Sequence, residues 1–408
     1  MRRSREAARW SHTIRRRPIA FVLPRYGPEI IGGAETLCRA AAENFAANDV
    51  PVEIFTTCAI DHFTWLDHYP AATTELNGVV VHRFPVSPAR DSEHYYDIHH
   101  GINRGDAHLG YLEHLEWMSN SVWSDELEDA LIEETPRLHC RVALPYLFGT
   151  TFWAVAENPE KTALIPCLHN ENHAKVPAIK AMLEQSAGCL ANSPAEEALI
   201  RRIAPRARTT LGSMGFDPPS LPPDPAKFCA DRGISPGYLL YAGRREESKG
   251  VPLLFDYYAR YIEDNPDAPP LAMMGSGTLP APPQIAKRII ELGFVPNEDK
   301  LAAVAAASVF VHPSTNESFG AVVAEAMLQR VPVLVTAHSP VLVDHCRDSG
   351  GGLWFASYPE FAESLDLLLG DDELRAKMGD GGFRYITGNH SWSHLRERYL
   401  SALDMWIP

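Results

Sequence analysis

Short apolar runs alternate with amphipathic stretches along most of the chain. The first run, "IAFVLP" at 19–24, predicts a buried strand. The glycine-bearing loop "RYGPEIIGG" and a helical stretch, "AETLCRAAAENFAA", follow it. Further strands are predicted near 52–57 and 79–84, and at "RVALPYLF", "TALIPCLH" and "GCLANS". Residues 85–135 are polar, aromatic and His-rich, with one helix predicted over 107–134. After residue 236 the alternation is cleaner. The strands "YLLYAG", "LAMMG", "GFV", "SVFVHP", "VPVLVT" and "GGLWF" are separated by helices predicted at "VPLLFDYYARYI", "PQIAKRIIEL", "NEDKLAAVAAA", the stretch after Phe319, and "VLVDHCR"; two terminal helical stretches follow "GGLWF". Apolar strands alternating with helices imply parallel sheets covered on both faces.

Between the halves lies "DPPSLPPDP", five prolines in nine residues, which reads as stiff, extended chain at a domain boundary. The expected organisation is a basic tail at 1–17, an α/β domain at 18–216, a linker at 217–236, a second α/β domain at 237–385 and a terminal helix at 386–408. Ligands of such sheets collect at the carboxyl ends of the strands, so a cleft between two doubly wound, Rossmann-like domains is the expected site.

Charge narrows the partners. The 408 residues carry a formal net charge of −15. An acidic surface repels phosphate polyanions, so no nucleic-acid partner is expected. Residues 1–17 run against the trend, with seven Arg and one Glu. They read as a solvated tail or as a weak peripheral contact with an anionic membrane. No run of about 18 apolar residues occurs, and "IAFVL" is too short for a secretory core. The seven cysteines are widely spaced without a CxxC, which reads as reduced thiols in a cytoplasmic protein with no zinc site.

The candidate chemistry sits at strand ends. In "HPSTNESFGAVVAEAMLQR" a helix starts near Phe319 or Gly320 and is apolar on nearly every side, yet holds Glu325. The N–H groups of its first turn suit a diphosphate, and Gly320 permits close approach. Glu325 lies roughly 7–8 Å further along the axis, about the distance from a diphosphate to its ribose hydroxyls. Glu317 lies on the other side of the helix mouth. The competing reading makes Glu317 a loop carboxylate and pairs Glu325 with a nearby Lys or Arg. In "YAGRREESKG", Arg244 and Lys249 follow a strand ending at Gly243, where they could neutralise a leaving diphosphate or simply be solvated. Gly32 and Gly33 open a helix, suiting phosphate approach or a plain tight turn. His169 follows an apolar strand, as a sugar contact or a structural histidine. His94, His99, His100, His108 and His114 form no spaced metal set and read as surface or acceptor-pocket residues.

Taken in order, these motifs resemble the retaining glycosyltransferases of family 4, the glycosyl transferase group 1 enzymes with the GT-B fold. "ESFGAVVAE" gives the E-x7-E pair, "GRREESKG" the phosphate loop and "GGAE" the N-terminal glycine loop; "LGFVPNEDKLAAVAAASVFVHPS" also follows the pattern. The resemblance implies that Glu325 holds the ribose and that Arg244 and Lys249, beside Gly243, stabilise the leaving diphosphate. It implies that Glu317, Ser318, Phe319, Gly320 and Ala321 hold the donor, that Gly32 and Gly33 touch phosphates, and that His169 sits by the sugar. It also implies that "SWSHLRERYLSALDMW" packs on the first domain. "LGSMGFD" departs from the family by placing Met214 where an Asn is usual, so no role is carried there.

The implied activity is metal- and cofactor-independent hexosyl transfer from a nucleotide-diphosphate sugar to a hydroxyl of a glycan, lipid-linked or small-molecule acceptor, as in polysaccharide biosynthesis. The attack is front-face, with the departing diphosphate taking the acceptor's proton. The acceptor is expected to be chosen by 85–135 and 146–175. The alternatives are a catalytically silent sugar-nucleotide-binding partner or a nucleotide-sugar epimerase of the same fold.

Overall fold

The computed structural model describes residues 17–30, 32–219, 222–277 and 279–407. The basic tail expected at 1–17 therefore lies, apart from Arg17, outside the described residues. The chain divides into two compact units, Met1–Gly215 with Trp392–Pro408, and Phe216–Ser391.

In the first unit β1 (Ile19–Leu23) leads through α1 (Gly33–Ala46) to β2 (Val52–Thr57), β3 (Ala72–Leu76) and β4 (Val79–Phe84). Three helices follow, α2 (Ser92–Arg104), α3 (Tyr111–Ser119) and α4 (Asp125–Glu134). Then come β5 (Cys140–Ala143), α5 (Gly149–Glu157), β6 (Thr162–Leu164), α6 (Pro177–Gln185), β7 (Cys189–Ala191), α7 (Pro194–Ile203) and β8 (Thr209–Leu211). The strand order is β3-β4-β2-β1-β5-β6-β7-β8, parallel throughout except for β3 against β4. β1 is buried at every position, as a central parallel strand requires.

The long helix expected over 107–134 is instead two helices, preceded by the unforeseen α2. Three polar side chains make the breaks. Asp91 caps α2 by accepting the His94 N–H, and Ser124 caps α4 by accepting the Leu127 N–H. Asn120 ends α3 by bonding the Glu116 carbonyl at 2.9 Å and accepting the Asp91 N–H at 2.8 Å. The edge strand β3 is exposed and polar, "ATTEL", and carries no apolar signal.

The second unit has α8 (Pro225–Arg232), β9 (Leu239–Ala242), α9 (Val251–Asp264), β10 (Leu271–Met274), β11 (Ile289–Gly293), α10 (Asn297–Ala305) and β12 (Val309–His312). They are followed by α11 (Ala321–Leu328), β13 (Val333–Thr336), α12 (Pro340–Ser349), β14 (Gly352–Phe355), α13 (Tyr358–Gly370) and α14 (Asp372–Asn389). The order β11-β10-β9-β12-β13-β14 is wholly parallel. Three expectations fail here, the first being "GFV" as a strand, of which only Gly293 lies in β11. "PQIAKRIIEL" is not a helix: its β-branched Ile289 and Ile290 pair with Leu271 and Ala272 as a strand. The segment 217–236 is not all irregular, because Asp224 caps α8 with Pro225 at its first position.

The last helix, α15 (Trp392–Trp406), belongs to the first unit, so three helices rather than two follow β14. It is held by close fit. A methyl group on Gly188 or Gly215 would lie 2.4 Å and 2.2 Å from the indoles of Trp406 and Trp392. Tyr399 donates to the Ser213 carbonyl at 2.9 Å and meets Phe45 edge-on at 5.9 Å. Burying aromatics of this size contributes roughly 2 kcal/mol or more each. All seven cysteines are unpaired, and all but Cys167 are buried. Among the described residues no helix is long and apolar enough to cross a membrane.

Candidate active site

The second unit gathers charge at the carboxyl ends of β9 and β12. Gly243 takes φ +144° as the chain leaves β9, and its carbonyl oxygen would lie 2.2 Å from a methyl on Gly275, so the two loops touch through backbone. Arg244 follows, half-exposed, 3.1 Å from Glu246. Its carbonyl is fixed by the Tyr241 hydroxyl at 2.7 Å. The turn Glu247–Lys249 ends at Gly250, which packs against the Pro313 backbone and brings this loop to the end of β12.

There Lys249 Nζ donates to Glu317 Oε1 at 2.8 Å, and His312 Nε2 lies 3.3 Å from the same oxygen. Burial alone would raise the Glu317 pKa. His312 and Lys249 outweigh it and hold the carboxyl far below the usual range, so Glu317 is an anion. The His312 ring stacks on Tyr241 and Phe310, at 5.9 and 6.0 Å. His312 escaped the reading of the sequence, although it ends an apolar strand just as His169 was noted to do.

The helix mouth departs from expectation in one respect. Phe319 is buried, with its ring 5.8 Å from Phe216, 4.8 Å from His345 and 5.2 Å from His390. Its side chain is part of the core and is not free to hold a sugar. Gly320 caps α11 in the left-handed region at φ +84°. The N–H groups of Phe319, Gly320 and Ala321 have no acceptor among the described residues, and Ser318 beside them is half-buried. Glu325, on the second turn, pairs with Lys300 Nζ at 2.5 Å. This is the ion pair that the competing reading anticipated. It is not dry, since the two side chains are 18 % and 27 % exposed. A carboxylate has room for further donors on its second oxygen.

In the first unit Gly32 is the N-cap of α1, and the Glu35 carboxylate folds over it; an added methyl would lie 2.0 Å from Glu35 Oε2. Glu35 is ion-paired with Arg25, which also donates to the Ile60 carbonyl at 2.9 Å. Gly33 differs: a methyl there meets nothing within 4 Å. We expect Gly33→Ala to leave the melting temperature within about 1 °C and Gly32→Ala to lower it by several, because overpacking costs about 1–3 kcal/mol. If Gly33 lies against a ligand, Gly33→Ala loses donor affinity in a titration despite its native stability. Unchanged affinity would remove Gly33 from the site.

His169 follows β6, with Nδ1 3.7 Å from Glu171, beyond hydrogen-bond length. The residue before it is pinned. Buried Glu196 accepts the N–H groups of Leu168 at 2.5 Å and Asn192 at 2.6 Å. Burial lifts the Glu196 pKa to about 7 against the pull of these donors. Of the His-rich region, His114 is buried and His99 stacks on His173 at 4.0 Å, so these two are packing residues, not a free surface.

Lys249, Glu317 and His312 thus meet directly, Arg244 shares the Lys249 loop, and Glu325 stands separately on α11. Gly32, Gly33 and His169 belong to the other unit. The fold is that of the GT-B glycosyltransferases. The chain matches sucrose-phosphate synthase from Thermosynechococcus elongatus with a TM-score of 0.70 at 18% identity, covering 96% of this chain and 99% of that one. It matches Anabaena HepE in complex with UDP and glucose at 0.66 and 17%, covering 95% and 100%.

In sequence, residues 233–384, within the second unit, match the glycosyl transferases group 1 model. Among curated relatives, D-inositol 3-phosphate glycosyltransferase of Jonesia denitrificans is 28% identical over 257 residues, 57% of this chain and 60% of that protein. Its counterpart in Corynebacterium aurimucosum is 29% identical over 188 residues, 41% and 44%. The matched segments span about half the length of these relatives.

Proposed function

We propose that this protein is a retaining glycosyltransferase that moves a hexosyl group from a nucleoside-diphosphate sugar to a hydroxyl acceptor. The observation that carries this is the Lys249–Glu317–His312 cluster beside N–H groups at the mouth of α11 that have no acceptor among the described residues. An ammonium has three protons, and Glu317 takes one of Lys249's. The others, with the half-exposed Arg244, can neutralise a departing diphosphate without a divalent ion. Glu317, already ionised and held on two sides, is suited to bind sugar hydroxyls rather than to accept a proton. Glu325 takes the ribose. Gly33 is assigned to the phosphates and His169 to the transferred sugar. The diphosphate itself takes the acceptor's proton as the glycosidic bond forms on the face it leaves, so configuration is retained. A relative named D-inositol 3-phosphate glycosyltransferase favours a small-molecule hydroxyl among the glycan, lipid-linked and small-molecule acceptor classes.

A thermal-shift screen of UDP-, GDP-, ADP- and dTDP-sugars tests this. One base class should raise the melting temperature by several degrees, since a ligand at 100 times its Kd stabilises by about 2.7 kcal/mol. Proton NMR of the product with an acceptor panel should then show the donor's anomeric configuration. No shift with any donor refutes the assignment. Binding without turnover makes the protein a silent partner, and inversion refutes the front-face course.

A further inference from the structure

The site's anion-binding end is a short stretch of backbone, and what holds that backbone is a histidine from another helix. His345 lies on α12 and is buried. Its Nε2 is 2.7 Å from the Phe319 carbonyl oxygen, and its Nδ1 is 3.0 Å from the Tyr385 hydroxyl. A carbonyl only accepts, so Nε2 carries the proton; in the neutral ring, Nδ1 then accepts from Tyr385. Burial lowers the pKa of this imidazole, which keeps the ring in that one-proton form. Phe319 and His390 pack edge-on against the ring, at 4.8 and 5.9 Å.

The consequence lies across one peptide plane. The Phe319 carbonyl and the Gly320 N–H belong to the same peptide unit, and it is trans. In a trans peptide the two groups point in opposite directions. Fixing the carbonyl on His345 therefore sends the Gly320 N–H away from His345, where it has no acceptor among the described residues. At φ +84° Gly320 has a glycine's freedom to let this peptide turn. The next carbonyl, that of Gly320, accepts from Val323 at 2.9 Å and Ala324 at 3.2 Å and begins α11. His345 thus fixes the hinge between the loop and the helix.

We propose that His345 is a positioning residue for the donor: by holding the Phe319 carbonyl it aims the Gly320 N–H at the diphosphate. This rests on the reading given under Proposed function, and the test separates the two.

Calorimetric titrations of UDP, GDP, ADP and dTDP, and of their monophosphates, would compare the wild type with His345→Leu, His345→Gln and His345→Asn. For the base that binds, His345→Leu should lose about tenfold in diphosphate affinity and stay within about twofold for the monophosphate. Gln places its amide near Nε2 and should restore most of the loss; Asn reaches only the Nδ1 position and should not. Equal losses for both phosphates, or none, overturn the proposal.

Hydrogen exchange in the free protein gives a reading that needs no ligand. The Val323 and Ala324 amides should exchange at least about tenfold faster in His345→Leu, and near the native rate in His345→Gln. Unchanged exchange overturns the role of His345. If no diphosphate binds the wild type, the proposed function fails, and exchange still decides whether His345 holds the hinge.

Discussion

Lys249→Ala is expected to lower kcat/KM by about 10²–10³ and the melting temperature by several degrees. The rate loss is that of one preorganised electrostatic group at a developing charge. The stability loss has a separate origin. Lys249 and Glu317 are 21 % and 14 % exposed, and removing the ammonium leaves an ionised carboxylate with only His312 beside it. Breaking a fully buried pair costs about 3–5 kcal/mol, so a partly buried pair with one partner remaining should cost about 2. The double variant Lys249→Ala, Glu317→Gln separates the two effects. It removes the stranded charge and should regain most of the stability, while the rate stays low because Arg244 alone is left to face the leaving group. Thermal melts and steady-state kinetics with the donor class found by screening check both. Recovery of rate along with stability would make Lys249 a structural partner of Glu317 and nothing more.

The second large effect is expected at Glu325. Its observed partner is Lys300, so the carboxylate either serves that pair alone or also takes ribose hydroxyls. The two variants differ in what they predict. Glu325→Gln should lose about ten- to a hundredfold in donor affinity, since each hydrogen bond to a charged group contributes about 1.5–3 kcal/mol. Lys300→Met leaves the carboxylate free and should bind the donor within about threefold of the wild type. Both should cost about 1–2 kcal/mol of stability, because this pair, like Lys249–Glu317, is only partly exposed. Equal losses of affinity in the two variants would mean that the pair merely braces α11.

Much of the architecture was legible because parallel strands buried on both faces show as bare apolar runs. β1, β9, β10, β12 and β13 are of this kind. β11 was misread because its apolar residues, with Ile285 before them, fall at helical spacing. Only the pairing with β10, a tertiary fact, decides the matter. β3 had no apolar pattern to find, being an exposed edge.

The site divides in the same way. Lys249 and Glu317 could be named because loop and E-x7-E spacings are local; that they meet across 68 residues is a tertiary fact. His345 and Lys300 could not, since each reaches the α11 segment from 25 or 26 residues away and carries no motif of its own. Phe319 was given to the sugar because it stands inside a motif. Its ring turns instead into the core.

The central claim is that Glu325 grips a ribose. The direct measurement is a ligand–protein cycle: calorimetric affinities of the ribonucleoside diphosphate and its 2′,3′-dideoxy analogue for the wild type and for Glu325→Gln. The wild type should lose at least about tenfold when the hydroxyls are removed, and Glu325→Gln should bind both ligands alike. If the deoxy penalty is the same in both proteins, the hydroxyls are read elsewhere and Glu325 belongs to Lys300 alone.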